Sequence, residues 1–377
     1  MSLMSIIDRS ARSLSNIPGW RTKRRFVIIE SDDWGSLRMP SRDAFTYLTS
    51  KGIFSGNEPF SLFETLASSE DLSFLFETLH SFKDINGNTC VLTAACIVAN
   101  PDFKRIREHD FSQYYYEPFT LTLERYYPND RVFEYWKKGI EENVFRPQFH
   151  GREHLNVAEW MRALQVGDYE TRLCFDKEVW AFKRHMGSRP SIPFQAPFDY
   201  YLPDDLIIHS NAIKEGLILF SELFGYKATF FVPPNGPYST SLEKISSEAG
   251  ITLITSAKIM TEPLGFGKSR KVIRWLGQKN RHNQRYSVRN AIFEPVFKGK
   301  DWVDSCLSDM AIAFKWNKPA IISSHRANYI GVHDIRNRDC TLRELKKLLS
   351  TALKRWPNIE FITSDHLDEL MNNPENG

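Results

Sequence analysis

The chain has 377 residues, 42% of them apolar and 25% charged, with a formal net charge of +3. These fractions are ordinary for a soluble globular protein, and so small a charge excess gives no case for binding nucleic acid. No run of about 18 apolar residues occurs, so no transmembrane helix is expected, and five cysteines without a C-x-x-C pair argue against a disulfide framework or a zinc ribbon.

Residues 1–25 read as an N-terminal extension. Arg9, Arg12, Arg21, Lys23, Arg24 and Arg25 lie among Ile6, Ile7, Leu14, Ile17 and Trp20. That mixture suits either a peripheral membrane contact or a helix packed on the body. The start lacks the basic-then-apolar order of a signal peptide, so a cytoplasmic protein is expected.

Residues 26–377 read as a single domain. Short apolar runs predict strands at 26–31, 90–98, 228–232, 251–255, 291–296, 319–324 and 359–363. Several are almost continuously apolar, as parallel strands covered on both faces should be. Helical spacing marks 157–165, 205–224 (ending at Gly225) and 341–356. This alternation predicts an α/β fold with a parallel sheet. Polar residues end strands spread over the whole length: Asp32 and Asp33, Asn235, His325. A barrel brings all strand ends to one face, whereas an open sheet would concentrate its ligand at one switch point, usually with a Gly-rich loop that is missing here. An irregular (β/α) barrel is therefore expected. Residues 104–146, rich in aromatics, and 257–290, strongly basic, are taken as insertions around its mouth.

Asp32-Asp33 follows the buried-type run Phe26-Val27-Ile28-Ile29. Two carboxylates at the buried end of a strand are costly unless a positive charge sits beside them. His150 and His154, at i and i+4, share a face on a helix or on a strand. Two imidazoles and one carboxylate, with positions left for water, suit a catalytic divalent metal. One acid of the pair can bind the ion and the other can handle a proton. His325 ends Ala320-Ile321-Ile322-Ser323-Ser324 and would reach the same face, where it can protonate a departing amine or alcohol.

Together these residues resemble the polysaccharide deacetylase superfamily, carbohydrate esterase family four. The motifs occur in its chain order: Ser31-Asp32-Asp33, then His150 to His154, then the turn Phe231-Val232-Pro233-Pro234-Asn235-Gly236, then Ile322-Ser323-Ser324-His325. The resemblance implies an irregular, usually seven-stranded, β/α barrel that removes acetyl groups from saccharides. It implies Asp32 as general base and His325 as general acid. Asp33, His150 and His154 would hold a divalent metal, zinc first, with cobalt, nickel or iron also suited. The backbone near Asn235 would bind the oxyanion. The family's third motif usually opens with an Arg that tethers the catalytic Asp; Val232 stands there, and Arg326 or Arg152 is the expected replacement.

The expected substrate is an acetylated saccharide or saccharide precursor. Trp34 and aromatics of 114–136 would stack on sugar faces, Asn235 and Arg326 would contact the substrate, and the basic stretch 257–290 would meet phosphates. Two rivals remain at this level. One is a deacetylase-like barrel that binds saccharide without turnover. The other is a zinc peptidase using His150-Gly151-Arg152-Glu153-His154 as H-x-x-E-H, which would require a helix that Pro147 and Gly151 disfavour.

Overall fold

Phe26 to Ile29 form a strand buried on both faces. Phe26 and Ile28 join Ala95, Phe230, Leu253 and Ile321 in one apolar cluster, while Val27 and Ile29 join a second, larger one with the surrounding helices. Period-two alternation between two apolar environments explains why the run shows no polar face. The protein is described as a computed structural model, over residues 12–183 and 192–373.

The main sheet contains β1 (Arg25–Trp34), β2 (Leu92–Ile97), β3 (Phe145–Gly151), β4 (Phe230–Phe231), β5 (Leu253–Thr255), β6 (Arg285–Ser287), β7 (Ala291–Ile292), β8 (Ala320–His325) and β9 (Ile359–Phe361). Their order is β6-β5-β4-β3-β2-β1-β8-β7, with β9 also paired to β1. Every pairing is parallel. The two edges, β6 and β7, are consecutive in the chain and separated only by Val288, Arg289 and Asn290. One stretch thus pairs with β5 by its first half and with β8 by its second, and closes the curl. Asn290 seals the join: its backbone N–H donates to Ile321 O at 3.1 Å, and its side-chain oxygen accepts from Ile321 N–H at 2.9 Å. Val27 pairs with both Ala320 of β8 and Phe361 of β9, so β9 shares the β2 side of β1. With the split strand taken as one and β9 as a flank, the barrel has the seven positions expected.

β3 was not expected from the sequence. Its Arg146-Pro147-Gln148 core breaks the apolar signal, yet the strand is buried except at Arg146, which donates to Asp365 at 2.9 Å. Gln148 Oε1 accepts from the backbone N–H groups of Thr229 and Phe230, at 3.2 and 3.1 Å. Residues 104–146 are not a mouth insertion. They form most of the β2–β3 crossover, with helices Phe119–Tyr126 and Val132–Glu141 packing Phe119, Val132 and Trp136 into the main core. Residues 257–290 contain an antiparallel hairpin, Ile259–Gly265 with Lys268–Ile273, but also β6.

Residues 16–25 of the extension dock on the barrel. Lys318 Nζ donates to the carbonyls of Pro18, Gly19 and Trp20 at 2.9, 2.5 and 2.6 Å. Gly19 has φ +93°, and a Cβ there would lie 2.4 Å from Leu276 O, so only glycine fits. Trp20 packs on the inner cluster, Arg12 bonds Asp309 and Arg24 bonds Glu360. The membrane reading also named Ile6, Ile7 and Arg9, which lie outside the described residues. Among those described, no helix is long and apolar enough to cross a membrane.

Candidate metal centre

In a regular strand Asp32 and Asp33 would face opposite sides. Between the pairs Ser31↔Ala94 and Trp34↔Cys96, β1 advances three residues while β2 advances two. This bulge, with Asp33 at φ +74°, turns both carboxylates into one cleft. A non-glycine residue held there costs about 1–3 kcal/mol, the kind of strain found at functional sites. Gly35 follows at φ +82°, where a Cβ would sit 2.2 Å from Ile97 O.

His150 is the last residue but one of β3, and the bend after Gly151 returns His154 to the same point. Asp33 Oδ1 lies 3.2 Å from His150 Nε2 and 3.0 Å from His154 Nε2. All three residues are buried, and one donor atom from each lies within 4.8 Å of the others. Val232 O lies 2.6 Å from His150 Nδ1. That carbonyl accepts the Nδ1 proton, so in the neutral imidazole Nε2 has its lone pair aimed at a carboxylate oxygen. Two lone pairs at that distance repel unless a cation lies between them. The donor set therefore fits a divalent metal.

Asp32 is held apart from this triangle. Arg289 Nη1 and Nη2 donate to its two oxygens, each at 2.6 Å, and Nε donates to Glu30 at 2.6 Å. Burial works against the Asp32 charge, but the guanidinium outweighs it and keeps the carboxyl below its ordinary range. Arg289 is therefore the tether, not Arg326 or Arg152. Arg152 is bound to Glu153 at 2.6 and 2.9 Å and to Glu215. Glu153 is thereby occupied and His150 is in a strand, so the H-x-x-E-H peptidase geometry is not formed.

His325 ends β8 in register with Asp32. Glu294 Oε1 lies 2.6 Å from its Nδ1, and Asn328 fixes the other Glu294 oxygen at 2.7 Å. Burial disfavours the imidazolium, but Glu294, then Asp33 and Asp32, outweigh it and lift the pKa to about 10.

The cleft has a volume of about 360 Å³ and is lined by all five of these site residues, with Asn235, Arg38, Phe60, Thr255 and Arg289. Two expectations are corrected. Trp34 is 1% exposed and packs among Trp136, Phe145 and Tyr329, because the bulge turns it into the outer core. Arg326 is fully buried behind the cleft, since the chain passes from β8 into a short helical turn there. Tyr114, Tyr116 and Trp136 also lie away from the lining. Arg270 pairs with Glu262, Arg274 stands 3.8 Å from Glu243, and Arg285 faces Asp368 at 3.5 Å, so much of the basic stretch is spent internally. Sequence reasoning missed Glu294, although an acid ending the run Ala291-Ile292-Phe293 is the same signal that marked Asp32. It also missed Arg38, on a loop, and Phe60, in the short helix Pro59–Phe63, neither of which carries such a signal.

No protein-family model and no curated protein matches the sequence. Among solved structures, the chain is 10% identical to a Mycobacterium smegmatis protein assigned as a polysaccharide deacetylase, over 96% of this chain and 94% of that one, with a TM-score of 0.43. A Parabacteroides distasonis protein assigned as a glycoside hydrolase/deacetylase gives 11%, 92%, 71% and 0.47 in the same order. The 4-alpha-glucanotransferase of Thermococcus litoralis gives 9%, with 91% of this chain spanning 40% of that one, and 0.44. What the site can do follows from its own residues.

Proposed function

We propose that the chain is a metal-dependent hydrolase that removes an acyl group, acetyl in the simplest case, from a saccharide or saccharide precursor. The observation that carries this is one cleft holding the Asp33–His150–His154 donor triangle, a separate carboxylate clamped by Arg289 and an imidazole paired with Glu294. Zinc suits the donors best, and cobalt, nickel or iron fit similar sets. A divalent ion held by the triangle would polarise an acyl carbonyl and make a bound water more acidic.

The rest falls to the protein. Asp32, kept ionised by Arg289, takes a proton from the attacking water as its oxygen bonds the carbonyl carbon. A backbone N–H of the Asn235 turn serves the oxyanion. The carbon–nitrogen or carbon–oxygen bond to the sugar then breaks, and His325 delivers its proton to the departing atom. The products are a carboxylate and a free amine or alcohol. Arg289 and Glu294 are positioning residues, one for the base and one for the acid.

Metal content measured alongside acetate release from acetylated sugars tests the reading. Bound metal with stoichiometric acetate release, both lost in Asp33→Ala, is the expected result. Metal binding without release from any acetylated sugar would favour the rival saccharide-binding barrel, and no metal binding would reject the centre.

A further inference from the structure

The side of the cleft lined by Arg38 and Phe60, with Glu64 and Arg326 buried behind it, has no part in the steps above. Arg38 Nη1 donates to Glu64 Oε2 at 2.7 Å and stands 3.8 Å from Asp33 Oδ2. Its Nη2 has no partner among the described residues, and the side chain is 15% exposed to the cleft. Arg326 lies 3.8 Å from the other Glu64 oxygen, is fully buried, and makes no hydrogen bond through Nε, Nη1 or Nη2. One carboxylate is thus shared by two guanidiniums. The remaining acids of the cleft are committed: Asp32 and Glu30 to Arg289, Glu294 to His325.

Asp33 faces His150 and His154, so Glu64 is the carboxylate left to both guanidiniums, and Arg38 is the one of the two that reaches the cleft. Phe60 lies beside it, with the guanidinium carbon 5.8 Å from the ring centroid, and His325 4.9 Å away on the same ring. A flat apolar ring next to a guanidinium whose Nη2 is open, at the reacting centre, matches a sugar ring that bears a negative group. The stretch 257–290 offers no equivalent in the lining, because Arg289, its one guanidinium there, is bound by Asp32 and Glu30.

Resting on the hydrolase reading above, we infer that the substrate is an anionic acylated sugar, whose carboxylate or phosphate is bound by Arg38 while its ring packs on Phe60. A charge-assisted hydrogen bond at a partly buried site corresponds to roughly ten- to a hundredfold in affinity. The preference should fade as salt is raised.

The test uses the full chain loaded with zinc and three acetamido sugars: a neutral hexose, its C6-carboxylate and its 1-phosphate. The wild type should prefer at least one anionic sugar in kcat/KM. In Arg38→Gln the anionic-to-neutral ratio should fall roughly ten- to a hundredfold, and in Arg38→Lys by less. Which anion responds identifies the group. An equal fall for all three sugars would show that Arg38 only supports Asp33, and would overturn the inference, as would a wild type with no anionic preference. Thermal melts and zinc content of both variants identify a folding loss, in which case the Lys variant carries the comparison. If no sugar is hydrolysed, calorimetric binding of the deacetylated anionic and neutral sugars separates the two claims. Anion-selective binding lost in Arg38→Gln would support this inference while the hydrolase reading fails, and equal binding would end both.

Discussion

Single residues in this cleft are set apart by their partners. Asp32 and Asp33 are neighbours with the same side chain, yet one is gripped by a guanidinium and the other by two imidazoles. Asp32→Asn should keep its metal and lose roughly 10²–10⁴-fold in kcat, because it removes a base and not a ligand. Equal metal loss in Asp32→Asn and Asp33→Asn would refute that division. His325 is raised from 6.5 to about 10 by Glu294, against the effect of burial. A folded pKa above the unfolded one contributes stability that is fully present below pH 6.5 and fades as pH rises through about 10. The alkaline limb of kcat should fall near that same value in the wild type. In Glu294→Gln the limb should move toward 6.5 and the pH-dependent stability over that window should shrink; a limb that stays in place would remove Glu294 from its positioning role. Arg289→Met leaves two buried carboxylates unpaired, so a loss of about 3–5 kcal/mol in urea unfolding at pH 7 is expected, smaller at acid pH.

At the scale of elements, the bulge in β1 makes the site. It reverses the alternation for one residue, brings Asp33 beside Asp32 and sends Trp34 outward. Gly35 makes this possible by letting β1 pass against Ile97 O. Gly35→Ala should therefore lower the melting temperature and the metal affinity together, since one backbone feature sets both. A variant that melts early but binds zinc as the wild type does would separate the bulge from the centre. The strands carrying the Asp pair and His325 were legible because their apolar runs end abruptly in a titratable residue. The strand carrying His150 was not, because Arg146, Pro147 and Gln148 give it no apolar run. Its burial depends on Gln148 meeting the backbone of Thr229 and Phe230, which lie eighty residues further on.

At the scale of the molecule, barrel closure collects residues 32, 33, 150, 154, 289, 294 and 325 on one rim. The closing stretch carries Arg289 at its gap and Glu294 just beyond it, so the seam of the barrel supplies both positioning residues. Below the barrel, Lys318 gathers three carbonyls of the extension onto the body. Lys318→Met should cost roughly 3 kcal/mol in denaturant unfolding, because those acceptors lose a charged donor and become hard to satisfy.

Composition and pattern by themselves determined the alternating β/α class, the barrel with its parallel strands, and the acid pair, His pair and late His as one chemical set. These depend on local periodicity and on the cost of leaving a charge at a buried strand end, and both are properties of short segments. Only the tertiary structure decided which arginine holds Asp32, that Glu294 orients His325, and that Trp34 and Arg326 are buried. Those outcomes depend on a one-residue bulge and on which strands meet at the seam. A one-residue shift exchanges the two faces of a strand, and a pairing between residues 257 positions apart leaves no trace in the spacing of either partner.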